Sequence, residues 1–476
     1  MLRRLFPAFC LLAAPLGAQT LTPHQRLARE VYAELVGINT VDSVGSTTRA
    51  AEAMAARFRA AGFAAADVRV LVPEGKAAKG NLVVRYRGRG NASATKPILL
   101  LAHLDVVAAR RADWPRDPFV MHEENGFFLG RGVADDKAMA SIFVANLLKA
   151  KREGWTPERD LILALTADEE GGDANGVEWL IAHHKPLIDA AYAINEGGGG
   201  SLTGSGMDVR PLFHSIQAAE KVPEDFTLTV TNPGGHSSVP RPDNAIYVLA
   251  DALGRLARFR FPVALNPVSR AFFEQTAKVE KPEMAAAMRA VVADPADTVA
   301  AAVVSRDPRY ASMLRTTCVA TRLDAGHAYN ALPQRATANV NCRIVPTSSA
   351  EETIATLARV FADSAVRITF TLSERERFPT SAGAVDAAVL RTTQELTRAM
   401  WGDIPVIPTM STGATDGRFL RAAGIPTYGV SGIFSLPGET NAHGRDEKLR
   451  VKSFYEGLDF LDRLVRRLAG PPTPVS

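Results

Sequence analysis

Cysteine is scarce, with three in 476 residues. Cys10 lies inside an N-terminal apolar run, which leaves Cys318 and Cys342 for the remaining chain. Neither belongs to a Cys-x-x-Cys pair, which argues against a thiolate zinc site. A strong charge imbalance is also missing. The formal charge of +4 includes Arg3 and Arg4 and falls by two, to +2, if a leader carrying them is removed. A chain so near neutral gives no footing for nucleic acid or an anionic membrane surface as partner. Beyond the first eighteen residues no apolar run is long enough to span a bilayer.

What is present at the start is a targeting pattern. Arg3 and Arg4 precede an apolar stretch from Leu5 to about Leu16, and Leu16-Gly17-Ala18 resembles a small-residue cleavage site. The expectation is a signal peptide over residues 1–18 and export to the periplasm or the medium. An oxidising compartment would permit a disulfide between Cys318 and Cys342, which sit in two β-like runs joined by a turn. Two small buried residues fit the same positions equally well.

The length points to two domains. Hydrophobic residues make up 46% and charged residues 22%, an ordinary globular composition. Helices are expected from Thr22-Pro23, from Thr47 to Ala61, from Lys137 to Lys151 and from Gly176 to His184. Strands are expected at Val68–Val72, Leu82–Tyr86, Ile98–Leu104, Leu161–Leu165 and Tyr192–Ile194. Ile98–Leu104 is almost wholly apolar, as a strand covered on both faces should be. This alternation predicts an α/β layered domain. Near Lys221 the pattern changes. Strands at Phe226–Val230, Thr317–Leu323, Arg335–Ile344 and Val366–Leu372 join helices at Asn244–Leu256 and Ala350–Phe361 in a β-α-β-β-α-β order, interrupted by an alanine-rich helical stretch to Leu314. That is the ferredoxin-like arrangement. After Arg377 the α/β character returns, with helices at Val385–Met400 and Val451–Leu468. The expected division is a catalytic domain over 19–216 and 379–476, with a lid domain, helical insert included, over 217–378.

The chemistry-bearing residues gather at expected strand ends. His103 and Asp105 project to one side at the end of Ile98–Leu104, and Asp105 is placed to accept the second imidazole N–H. Alone, His-x-Asp fits a structural histidine as well. Asp135 and Asp136 precede a helix. Asp136 suits the helix dipole, whereas Asp135, just outside, could bridge two cations. Asp168-Glu169-Glu170 and Glu196 each follow a buried strand, where α/β sheets place ligands. Neighbouring carboxylates repel unless a proton or cation intervenes. The glycines after Glu196 lack the Gly-Lys-Ser/Thr or Gly-x-Gly-x-x-Gly pattern of a nucleotide loop. His443, in a Gly/Asn loop, would pass for surface by itself. Together these oxygen and nitrogen donors suit zinc, or manganese or cobalt.

His103-x-Asp105, Gly130-Arg-Gly-x-x-Asp135-x-Lys137, Asp168-Glu169-Glu170, Asn195-Glu196-Gly-Gly and the late His443 match, in order, the co-catalytic zinc peptidase family. That family includes glutamate carboxypeptidase, aminoacylases, carboxypeptidase S, carnosinase-like dipeptidases and succinyl-diaminopimelate desuccinylase. The resemblance implies two zinc ions per subunit, with cobalt or manganese as substitutes. His103 and Glu196 would hold one, Glu170 and His443 the other, and Asp135 would bridge them. It implies Glu169 as general base, with Asp105 in the catalytic set as the partner of the His103 imidazole, and a cis Asp135–Asp136 peptide. Asn232-Pro-Gly-Gly-His236 resembles the lid histidine motif, and Asn330 with Arg343 resembles the substrate-binding pair. Gly413 and Thr415, in Ser411–Arg418, resemble the loop over the substrate. Asn341 stands where an aspartate is often found, so the resemblance does not imply how Arg343 is oriented. The implied reaction is hydrolysis of short peptides or N-acyl amino acids, by a carboxypeptidase or dipeptidase or alternatively a deacylase. A homodimer through the lid is the implied partner, with the insert from about Phe259 to Leu314 covering the site within one chain as the alternative. A metal-binding homologue without activity is the remaining alternative.

Overall fold

The computed structural model describes residues 20–90, 95–371 and 383–470. The expected signal peptide, Leu372, the boundary between 378 and 379, and the C-terminal tail lie outside the described residues.

Thr22 opens the first helix, Pro23–Gly37, with a complete capping box to Gln25, and Ser46 caps Thr47–Ala60. The apolar runs Ile98–His103 and Leu161–Thr166 are buried at every position and pair in parallel, and Tyr192–Asn195 pairs in parallel with Ile98–His103. Their carboxyl ends therefore lie side by side. These strands form the centre of a sheet that is ten-stranded among the described residues. Helix Lys137–Arg152, buried along most of its length, covers one face with Pro23–Gly37 and Val451–Ala469. Helices Gly176–Ile188 and Gly417–Ala422 pack against the other face through Leu180, Phe419 and Leu420.

Several strands have no expected counterpart. Arg210–Glu220 enters the large sheet beside Gly199–Thr203, with Val406–Ser411 parallel to it. The change of layer thus falls at Lys221, not between 216 and 217. The short strands His122–Glu124, Phe127–Leu129 and Lys448–Arg450 form a separate sheet. That sheet brings the loop of His443 beside the loop of Asp135.

The second layer is the expected one. Val222–Thr231 lies between Arg335–Ile344 and Arg367–Phe370, with Thr317–Ala325 outside as an edge strand. Helices Ala245–Arg258 and Ala350–Phe361 cover it, and Phe226, Leu249, Val340 and Leu357 form its core. Cys318 and Cys342 stand directly opposite each other on adjacent strands and form a disulfide. The helical insert departs from its expected place. Its buried residues Phe272, Phe273, Met288, Val291 and Leu314 belong to the core of the large layer, and Asn266 donates to Met410 Sδ at 3.2 Å. By packing, the insert is a buttress of the large sheet and not of the four-stranded layer.

His214 is fully buried. Its ring lies 5.0–5.6 Å from those of Trp401, Phe434 and Phe460, and Nδ1 meets Thr397 Oγ1 at 2.7 Å. Burial lowers its pKa to about 3. The unfolded chain therefore binds the proton first. The stability that neutral His214 contributes is complete above its unfolded value of 6.5 and is lost as pH falls toward 3. Over that window the loss is at most about 5 kcal/mol. Urea unfolding of the chelated protein at pH 7 and pH 4 is expected to show a smaller difference for His214→Gln than for the native chain. An equal difference contradicts this.

Candidate metal centre and active site

His103 ends its strand only 2% exposed. Its Nε2 lies 3.0 Å from Asp135 Oδ1 and 3.7 Å from Glu196 Oε2. Its Nδ1 is 3.0 Å from the Asp105 carbonyl but 3.7 Å from the Asp105 carboxylate. The expected carboxylate–imidazole pairing is thus replaced by a main-chain carbonyl. The Asp105 carboxylate instead accepts the N–H groups of Glu169 (3.1 Å) and Glu170 (2.9 Å), fixing the acidic turn against the histidine strand.

Asp135 faces both histidines. Its Oδ2 is 3.2 Å from His443 Nε2, which is also 2.9 Å from Glu170 Oε1. The five expected ligands therefore converge, with His103 and Glu196 on one side of Asp135 and His443 and Glu170 on the other. Glu196 leaves Tyr192–Asn195 just before its glycines. A Cβ on Gly198 would come within 2.2 Å of the Gly429 carbonyl, and one on Gly200 within 1.9 Å of the Phe434 ring. Close packing, not phosphate, explains the glycine run. Asp168, Asn441, His443 and Asp446 all have positive φ, at 57°, 49°, 64° and 55°. Such conformations persist in side-chain-bearing residues only where the surroundings impose them.

The three consecutive acids divide. Asp168 turns inward onto Lys79 Nζ at 2.6 Å and the Ala174 N–H at 3.2 Å. Glu169 and Glu170 point into the cluster. Burial, then the charge of Glu196, pushes Glu169 up to about 10, and burial with Asp135 pushes Glu170 up to about 7. Hydrogen bonding to Asp135, reinforced by Glu170, raises His443 to about 9. Left to themselves these acids hold protons, and divalent cations would relieve the same repulsion.

Two residues were missed from sequence. Asp136 does not serve the helix it precedes, because its side chain makes no cap bond. It is 4% exposed, its Oδ2 has no partner among the described residues, and burial and Glu196 drive its carboxyl well above the usual range. Its carboxylate lies within 4.8 Å of ligand atoms of His103 and Glu196, and the Asp135–Asp136 peptide is cis. An equivalent set joins His103, Asp135 and Glu170. Carboxylates gathered around one buried and one exposed imidazole, with an orphaned buried oxygen, fit divalent metal ions of the zinc, manganese or cobalt kind.

The other missed residue is Glu447, fully buried. It accepts from Arg131 Nη1 (2.7 Å) and from the N–H groups of Gly132 (3.0 Å), Ala134 (2.7 Å) and Asp135 (3.1 Å). It thereby shapes the turn that presents Asp135, in which Gly132 has φ 82°. A glutamine would point an NH₂ at some of those donors. Glu447→Gln is expected to weaken metal binding about 10–100-fold, the usual cost of losing an outer partner. Metal competition titration checks this, and native affinity contradicts it.

The residues expected to come from a lid lie apart from the acids. His236 and Ala331 pair in a two-stranded ladder, which brings Asn330 beside the histidine, since the Ser237 N–H donates to the Asn330 carbonyl at 3.0 Å. Both are exposed, and among the described residues no bond joins them to the metal cluster. The aspartate absent at position 341 has a substitute across the strands. Asp225 pairs with Asn341 in register, accepts from its side chain at 3.1 Å, and is the carboxylate that acts on half-buried Arg343. Arg418, from the glycine-rich loop, lies close enough to lower Arg343, and its Nε is buried without a partner among the described residues. In that loop Gly413 is exposed, with its N–H on Ser411 Oγ at 3.1 Å. Thr415 is not free to meet substrate. It is buried, donates through Oγ1 to Glu220 at 2.6 Å and accepts from Asn195 at 3.3 Å.

The profile of Peptidase family M20/M25/M40 matches residues 99–467. An N-fatty-acyl-amino acid synthase/hydrolase of Mus musculus is 27% identical over 394 residues, covering 81% of this chain and 77% of that protein. A probable carboxypeptidase S-like protein of Dictyostelium discoideum is also 27% identical, with coverage of 81% and 74%. The fold resembles the crystal structure of an M20 family metallo-carboxypeptidase from Sulfolobus solfataricus, at TM-score 0.65 and 16% identity over 92% of this chain and 98% of the other. The family match spans both arms of the cluster, from the strand of His103 to the loop of His443, and the chain belongs to Peptidase family M20/M25/M40 as a hydrolase of amide bonds.

Proposed function

We propose that the chain is an exported two-zinc hydrolase of short peptides or N-acyl amino acids that carry a free carboxylate. The observation that carries this is Asp135, whose two oxygens face His103 and His443 separately, with Glu196 and Glu170 behind them. In this reading His103, Asp135, Glu170, Glu196 and His443 hold the metals. Two bound cations would supply a water acidified to near neutrality and polarise the scissile carbonyl.

The chain's own groups do the rest. Glu169, anchored through its N–H to Asp105, takes the proton of the attacking water and hands it to the leaving amine. His236 and Asn330, exposed on the lid ladder, donate to the oxyanion when the lid meets the cluster. Arg343 binds the substrate carboxylate with a planar, permanently charged fork, and Arg418 adds a second guanidinium from the opposite layer. Gly413 offers exposed backbone beside them. The relatives named above are described as acting on N-fatty-acyl amino acids or as carboxypeptidase-like, and both substrate types end in a carboxylate.

Arg343→Ala is expected to lower kcat/KM about 10²-fold on such substrates, the scale of a lost charged hydrogen bond. Carboxyl-blocked analogues, assayed beside them, should change little. Equal losses on both contradict the role.

Export is supported by the leader-like residues 1–18 and by the Cys318–Cys342 disulfide, which suits an oxidising compartment. Among the described residues no helix is long and apolar enough to cross a membrane. The open edge strand Thr317–Ala325, with Val319 and Leu323 more than half exposed, supports a homodimer through the lid.

A further inference from the structure

A cavity of about 560 Å³ lies where the lid joins the helical insert. None of its lining residues belongs to the metal cluster or to the proposed substrate contacts. One wall is apolar, formed by Leu253, Leu256, Phe259, Phe261 and Ala311, with the two phenylalanine rings edge to face at 5.1 Å. The lining also carries two cations, Arg260 and Arg315. Arg315 is half-buried, and its Nε is buried without a partner among the described residues. The only hydrogen bond of its guanidinium among them is a long one, 3.4 Å, to Ser305 Oγ. Arg260 lines the same space, spends its bonds on the Ala257 and Phe259 carbonyls, and lowers Arg315 by its charge. Behind the cavity, fully buried Lys221 donates to the Ser312 carbonyl (2.9 Å) and Thr317 Oγ1 (3.0 Å), both in its lining.

A half-buried guanidinium without an anionic partner is costly, and the cost is relieved by an anion. A small inorganic anion would leave the phenylalanine and leucine wall uncovered. A neutral lipid would leave the guanidinium unpaired. We infer that this cavity is a second binding site, for a single-chain anionic amphiphile such as a long-chain carboxylate, with its head on Arg315 and Arg260 and its tail along Phe259, Phe261 and Leu256. The volume is in the range of small-ligand sites. The position matters because Thr317 and Cys318, on the cavity wall, pair in register with Arg343 and Cys342. The site therefore backs onto the strand that carries Arg343. It does not depend on the catalytic reading above.

The test is calorimetric titration of the metal-loaded chain with monomeric dodecanoate, with dodecanol, inorganic phosphate and anionic phospholipid vesicles as comparisons. Dodecanoate is expected to bind, and dodecanol and phosphate to bind at least about tenfold more weakly. Arg315→Gln should weaken dodecanoate by a similar factor, and Ala311→Trp, which fills the cavity, should abolish binding. Both variants should keep native metal content and native hydrolysis of a short N-acetyl amino acid. Unchanged affinity in Arg315→Gln overturns the inference, as do equal binding of dodecanol and binding to vesicles alone. Should Ala311→Trp fail to fold, Arg315→Gln alone decides.

Discussion

Glu169→Gln is expected to lower kcat by about 10²–10⁴-fold, the range for a lost general base, while metal content stays native. The substitution keeps size and shape but removes the proton-accepting oxygen. What holds residue 169 in place is its N–H on Asp105, which the change does not touch. The carboxyl lies among Glu196, Asp416 and Glu170, and in their company burial drives it toward the protonated form. A group so placed trades protons readily once cations balance its neighbours. Steady-state kinetics with metal analysis on the same sample separates the possibilities. Native kcat would remove Glu169 from the chemistry. A loss of metal would make it a ligand instead.

Asp135→Ala should have the larger effect on metal. One carboxylate faces two histidines, so its loss disturbs both halves of the site at once. Removing an outer partner such as Glu447 costs about 10–100-fold in metal affinity, and removal of Asp135 should exceed that. Emission spectrometry of the purified variant is expected to find less than one metal per chain, with amide hydrolysis lost in parallel. His103→Ala and His443→Ala, by contrast, each remove a ligand from one side only. A variant lacking Asp135 that keeps full metal and rate would show that the residue does not bridge.

The residues that could be read from sequence share a physical trait, in that each sits at the end of a strongly patterned element. Ile98–His103 and Leu161–Thr166 are apolar up to their last residue, so their ends, and the donors there, were legible. The ferredoxin-like layer was legible for the same reason, since Val222–Thr231 and Arg335–Ile344 alternate buried and less buried positions. Glu447 was not legible as a positioning residue. It meets Gly132 and Asp135 across more than 300 residues, through a three-stranded sheet whose strands are too short to show a period. Asp136 was misread because an acid before a helix ordinarily serves the dipole. Here the turn carries its carboxylate toward His103 and Glu196 instead. Thr415 failed differently, since its motif marks a loop over the substrate but does not show which side chains face inward to Glu220. The helical insert was assigned to the lid by its place in the chain, whereas its helix Pro267–Thr276 packs against the strand Val406–Ser411, about 130 residues later.

One chain is expected to hold two metals across Asp135, and stoichiometric reconstitution counts them. The chelated protein is titrated with zinc while hydrolysis of an N-acyl amino acid is followed. Activity is expected to rise to a plateau at two equivalents per chain, and Asp135→Ala to give no such plateau. A plateau at one equivalent, or full activity with no metal added, would contradict it.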